Sequence, residues 1–162
     1  MKYTVERMEL ITREYVRSHP KKIFLFGDNL ERRGYGGQAA AMRGEPNAIG
    51  IPTKKSPSYA ASAFFTDEEF EQNKLAIDRA FEEIAKAVEE GPGRVIVIPV
   101  SGIGTGRAQL EKRARRTFAY LEAQLAKLFD SRWPGIFPIN SLPQAQRKGI
   151  FQPETGDFLI LI

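Results

Sequence analysis

KIFLFGDNLERRGYGGQAAAM, from Lys22 to Met42, is the stretch on which the fold turns. Ile23, Phe24, Leu25 and Phe26 make an unbroken apolar run closed by Gly27, the pattern of a strand covered on both faces. Asp28 and Asn29 then set two short polar side chains at the carboxyl end of that strand. Gly34, Gly36 and Gly37 follow, and a loop so poor in Cβ atoms lets backbone N–H groups come close to an anion. Gln38, Ala39, Ala40 and Ala41 favour helix. A strand feeding a glycine loop and a helix start binds phosphate in many α/β folds, although the same glycines also suit a tight strand-to-helix connection.

Further along, the device recurs. RVIVIPV, from Arg94 to Val100, is rich in β-branched residues with little alternation, as a central strand is. Ser101, Gly102, Ile103, Gly104, Thr105, Gly106 and Arg107 form a second glycine loop, and Leu110, Ala114, Phe118, Leu121, Leu125 and Leu128 continue it at helical spacing. A P-loop needs lysine then serine or threonine after its last glycine, where this chain has Arg107 and Ala108, and the dinucleotide fingerprint GxGxxG is replaced by GxGxG. The functional inference rests on the pair: parallel strands end on one side of a sheet, so both loops can face one crevice and wrap a diphosphate. Gly27, Gly34, Gly36, Gly37 and Gln38 from the first device, and Ser101 to Arg107 from the second, are the expected ligand-binding positions.

Between the loops, Ala48 to Ile51 reads as a strand interrupted by Gly50 and stopped by Pro52, with Lys54 and Lys55 just past its end. Lysines there are commonly solvated, yet one at a sheet's carboxyl edge can reach a phosphate or ribose. Thr66 and Glu69 form a capping box for a long helix whose apolar stripe is Phe70, Ile77, Phe81, Ile84 and Val88, ended by Gly91-Pro92-Gly93. At the N-terminus, Tyr3 to Val5 suits a short strand and Met8, Ile11 and Tyr15 fall at helical spacing before Pro20; His19 is read as a surface or capping residue. Asp130 to Asp157 has no sustained period and is expected to be an irregular C-terminal wrap over 130–157, with Trp133, Phe137, Ile150 and Phe151 to bury, before a last strand from Phe158 to Ile162.

With 162 residues and no repeats, the chain reads as a single domain, 1–162, of α/β class: a three-layer sandwich around a mixed, largely parallel sheet. Cysteine is absent and His19 is the single histidine, so thiolate chemistry is excluded, no metal site is expected and no cofactor is implied. The N-terminal stretch is charged throughout and no run approaches a membrane span, which suits a soluble, cytoplasmic protein. The net charge of +4 suits a phosphate-bearing partner, but acids are interleaved with the bases, and the cluster Lys112, Arg113, Arg115, Arg116 has the form of a solvated helix face without an aromatic platform for bases. Nucleic acid is the less favoured partner.

Taken together, these residues resemble the macro domain superfamily, whose members bind ADP-ribose and in some cases hydrolyse its linkages. Asn29, then Gly34, Gly36 and Gly37, then Ala39 onward look like that family's asparagine, first loop and helix; Pro99, Gly102 and Gly104 look like its second phosphate loop. The match spans roughly Lys22 to Leu128. Ile51-Pro52-Thr53-Lys54-Lys55 is similar to the Thr-Lys-Lys strand end of the terminal ADP-ribose glycohydrolase type. That resemblance implies Thr53 at the ligand and Lys54 as the amine attacking the ribose anomeric carbon, with Asp28 and Asn29 the other polar groups placed to act on a ribose. It also exposes departures: Gly106 stands where that class has an aspartate, Gln38 where other macro domains have one, and the usual adenine-contacting aspartate has no counterpart. Binding of ADP-ribose or an ADP-ribosylated substrate depends mainly on backbone groups and survives these changes; the alternatives are a glycohydrolase acting through Lys54 and a non-catalytic reader or nucleotide sensor. Gly36-Gly37-Gln38 also resembles the loop with which peptide-chain release factors hydrolyse peptidyl-tRNA, a reading that leaves the second loop unexplained.

Overall fold

The computed structural model describes residues 3–135, together with the backbone of Gly149–Gln152 and Asp157–Ile160. Four strands, β1 (Tyr3–Met8), β2 (Lys22–Asn29), β3 (Ala48–Lys54) and β4 (Arg94–Pro99), form a parallel sheet in the order β1-β4-β2-β3. The α/β class and the largely parallel sheet are as expected from the sequence.

Alternation along β2 explains why its apolar run is continuous. Ile23 and Leu25 face a core shared with Ile77, Ile84 and Leu121 from two helices, α3 (Phe70–Glu90) and α5 (Arg115–Lys127). Phe24 and Phe26 face the opposite cluster, with Val16 from α1 (Arg13–Ser18) and Ala39 and Met42 from α2 (Ala39–Met42). Each face of the strand is therefore covered by helices, giving three layers. The sequence of crossovers follows the same logic. From β2 the chain steps to β3 on one side, then returns across β2 to place β4 on its other side, so right-handed connections carry α2 and α3 to opposite faces. The strand order reverses between β2 and β4, and the crevice at the carboxyl ends of two such strands is where open α/β sheets bind ligands.

Several local readings are adjusted. Thr66 does not bond a backbone amide: its Oγ1 donates to Glu69 Oε1 at 3.1 Å, a 3₁₀ turn at Asp67–Glu69 intervenes, and α3 starts at Phe70. The helical run after the second loop is broken into α4 (Leu110–Arg113) and α5 at the buried Ala114, where φ is −147°. Asp67 Oδ1 accepts from the Arg116 amide at 3.0 Å, satisfying one of the donors that this restart leaves open. His19 is the C-cap of α1 and stacks on Tyr15 with ring centroids 3.9 Å apart. Trp133 is buried edge-on against Tyr3. Gly149–Gln152, read from sequence as part of an irregular wrap, is a strand (β5) paired antiparallel with Asp157–Ile160 (β6), which shares most of the expected last strand. Phe137 lies outside the described residues.

One buried group sets a pH dependence for the scaffold. Asp78 on α3 faces α5, where it accepts from the Tyr120 hydroxyl, and burial pushes its carboxyl up to about 6 against that hydrogen bond. The folded chain thus keeps this proton to a higher pH than the unfolded chain, which releases it near 3.8. Between those values the folded state binds more protons, and stability falls as pH rises through the interval. Asp78→Asn removes a loss of up to roughly 3 kcal/mol at neutral pH. We expect thermal melts to show the variant above the native protein at pH 7.5, with the gap closing towards pH 4; a variant melting lower at both values would refute this account.

Candidate functional site

All three chain segments expected at the ligand leave the sheet at its carboxyl edge. The loop after β2, the end of β3 and the loop after β4 enclose a cleft of about 280 Å³, whose wall includes Asp28, Asn29, Gly36, Gln38, Lys54, Gly104 and Arg107. Gly27, Gly34, Gly37, Thr53, Ser101, Gly102, Thr105 and Gly106 also line it. Ile103 does not: its side chain is buried in the core on the α3–α5 face, leaving only its backbone to the loop.

Gln38 joins the two loops. Its Oε1 accepts from the Gly27 amide at 2.8 Å, while Nε2 donates to the Gly102 carbonyl at 2.8 Å and to Ser101 Oγ at 3.3 Å. One side chain thus ties β2 at Gly27 to the second loop and fixes the separation of loops 63 residues apart in sequence. Its amide is committed to these internal bonds. Among the described residues, the backbone amides from Arg33 to Gln38 and from Ile103 to Ala108 donate to no protein acceptor. Two runs of free N–H groups on either side of a cleft have the arrangement that suits an anion. Helix dipoles contribute little to it, because α2 and α4 are each a single turn of four residues.

Lys54 is the last residue of β3 and is 7 % exposed, rather than lying past the strand end in solvent. A bulge puts it there: Asp28 pairs with Pro52 but Asn29 pairs with Lys54, so the register skips Thr53 and turns the lysine towards the cleft beside Asn29. Thr53 is buried, its Oγ1 donating to the Asp28 carbonyl at 3.2 Å. Lys54 Nζ donates to the Ser58 carbonyl at 2.7 Å and lies over the rings of Phe64 and Tyr59. Burial, then the positive charges of Arg107 and Arg113, hold its amine below the usual lysine range. Lys55, its neighbour in sequence, is by contrast a surface group paired with Glu69 at 2.6 Å.

Asp28 is differently placed. Its carboxylate is buried and held by two hydrogen bonds from Arg43, whose Nε also donates to the Gly34 carbonyl at 2.6 Å. The side chain lies across Gly50 of β3, where a Cβ has no room, which accounts for a glycine inside that strand. Asp28 therefore anchors the first loop and is not free to act as a base. Asn29 donates through Nδ2 to the Arg33 carbonyl at 2.9 Å, while its buried Oδ1 has no partner among the described residues. Such an acceptor calls for a donor from a ligand or water. Arg107 reaches back over the first loop: its guanidinium rests against Gly36 and donates to the Tyr59 hydroxyl at 3.0 Å. Arg33, Arg43, Lys54 and Arg107 set four cations in the wall against the single carboxylate of Asp28. Arg43, Tyr59 and Phe64 carry no recognisable spacing in the sequence; Arg113 is exposed, as its solvated helix face implied, with its guanidinium set against Phe64.

This arrangement defines an α/β protein with a cationic, glycine-lined cleft at the switch point of a parallel sheet. Residues 6–124 match a family of unknown function, DUF7831, and the chain belongs to that family. No curated protein and no solved structure matches it. Among the described residues no helix is long and apolar enough to cross a membrane, and no cluster of three or more histidine, aspartate or glutamate side chains is placed to hold a metal.

Proposed function

We propose that the protein binds ADP-ribose or a related nucleotide diphosphate across the two loops and cleaves an ADP-ribosyl linkage with Lys54. The observation that carries this reading is the convergence, in one cationic cleft, of two runs of free backbone amides with a buried lysine that has no carboxylate partner among the described residues. Backbone amides on both walls suit the pyrophosphate, and Asn29 Oδ1 offers an acceptor to a ribose hydroxyl. The cleft volume is at the small end for ligand sites, so it takes the diphosphate and one ribose while the remainder lies on the rim near the exposed Tyr59.

In the reaction, the uncharged Nζ forms a bond to the anomeric carbon as the bond to the leaving group breaks. The leaving group departs with the electron pair and takes the proton that the alkylated nitrogen sheds. Water then displaces the lysine from the same carbon, leaving a hydroxyl on the ribose and returning a proton to the amine. A second reading, a reader that binds without turnover, is favoured by the engagement of Asp28 with Arg43, which leaves no carboxylate in the cleft wall to assist.

Isothermal titration with ADP-ribose, ADP, AMP and NAD at one salt concentration tests the site. We expect ADP-ribose to bind at least about tenfold more tightly than AMP, the equivalent of roughly 1.4 kcal/mol from the second phosphate and ribose. No heat with any of the four would remove the proposal.

A further inference from the structure

Arg113 lies outside the wall of the cleft, yet its guanidinium is tied to the group at the cleft's floor. Its Cζ sits 3.8 Å from the centroid of Phe64, the ring over which Lys54 Nζ lies at 4.5 Å. Arg113 Nε donates to Gln109 Oε1 at 3.0 Å, which fixes the guanidinium in that flat packing. Gln109 itself adopts a left-handed backbone, φ 49°, an uncommon conformation for a residue with a side chain.

The surroundings of Lys54 are one-sided in charge. Arg107 comes from the loop after β4 and Arg113 from the end of α4; among the described residues, the segment after β3 sets the Ser58 carbonyl and the rings of Tyr59 and Phe64 against Lys54, while its Lys55 is paired with Glu69. On the neighbouring strand Asn29 is neutral, and the Asp28 carboxylate is turned to Gly50 and held by Arg43.

We propose that Arg113 is a positioning residue for the Lys54 amine: packed on Phe64, the ring over which Lys54 also lies, it supplies a positive neighbour that favours the form of the nitrogen able to make a bond. The inference rests on the reading of Lys54 as the reacting group. A carboxylate beside a lysine holds it as ammonium, whereas a guanidinium, here the exposed Arg113 beside a buried amine, works in the opposite sense, in the direction already noted for this amine. It also gives a role to one member of the basic cluster without any nucleic acid.

Reductive methylation of the intact chain with formaldehyde and cyanoborohydride tests this without assuming a ligand, since only the uncharged amine condenses. The rate at Lys54, read by peptide mass spectrometry over a pH series, gives its midpoint in the native protein, in Arg113→Gln and in Arg113→Lys. The native midpoint is expected below the ordinary lysine value of about 10.4. Arg113→Gln is expected to raise it and to slow labelling near neutral pH by about threefold or more, whereas Arg113→Lys, which keeps the charge, holds it close to native. Equal midpoints in all three proteins, or the same rise in both variants with unchanged melting temperature, would overturn the proposal. Titration of the native protein with ADP-ribose is run separately: its failure would remove the ligand and leave the effect of Arg113 on the amine standing.

Discussion

Lys54→Ala is expected to lower turnover of ADP-ribosylated substrates by at least about a thousandfold while changing ADP-ribose affinity only a few-fold, because the reacting atom is lost and the amide-lined walls are not. The variant should fold. Lys54 is a buried amine whose charged form is disfavoured by burial and by two guanidiniums, so its removal strands no opposite charge and leaves Phe64 and Tyr59 to close over a small gap. Single-turnover hydrolysis alongside calorimetry separates the outcomes. Retained turnover would exclude the lysine mechanism; absence of turnover in the native protein, with binding intact in both, would make the protein a reader.

Replacing glycines in the two loops should have effects of similar size on binding. At Gly104, φ is +84°, and an added Cβ would stand 3.0 Å from Leu110 Cδ2 and 3.2 Å from Thr53 Cγ2. Gly104→Val is therefore expected to distort the second loop, lower the melting temperature and reduce affinity by at least about a hundredfold. Gly36→Val separates filling of the cleft from backbone strain. The three atoms nearest its Cβ all belong to the Arg107 guanidinium, the first at 2.6 Å, and that flexible group can swing away. The variant should keep near-native stability yet lose comparable affinity, because the new side chain occupies the anion's path and evicts Arg107 from it. Tight ADP-ribose binding by both variants would rule out this cleft.

The β2 run was legible because a strand covered on both faces has to be apolar without alternation, and the loops were legible because glycine is read directly. Burial of Lys54 was not. It depends on a bulge between Asp28 and Asn29 that arises from pairing with β3, and no local pattern in either segment encodes it. Asp28 looked chemically available for a related reason: Arg43, 15 residues away, is brought to it only by the turn of α2, and a pair so formed has no spacing signature. The break at Ala114 escaped because the apolar period continues through it; what favours it is Asp67, supplied from the 3₁₀ turn ahead of α3. Gln38 lines the cleft, but its work as a brace between loops could be seen only once β4 lay beside β2.

The position of β4 has a consequence during synthesis. Among the described residues, β1 is joined to the sheet only through β4, and β2 meets β4 on the edge opposite β3. While the ribosome is still building α3, the first strand has nothing to pair with, and β2, with its apolar aromatic run, keeps one hydrogen-bonding edge open. Both wait for β4, which begins about 65 residues after the end of β2 and about 86 after the end of β1. The nascent chain thus carries its stickiest segment half-paired for the longest part of its emergence, and closure of the sheet and completion of the cleft arrive in the same step.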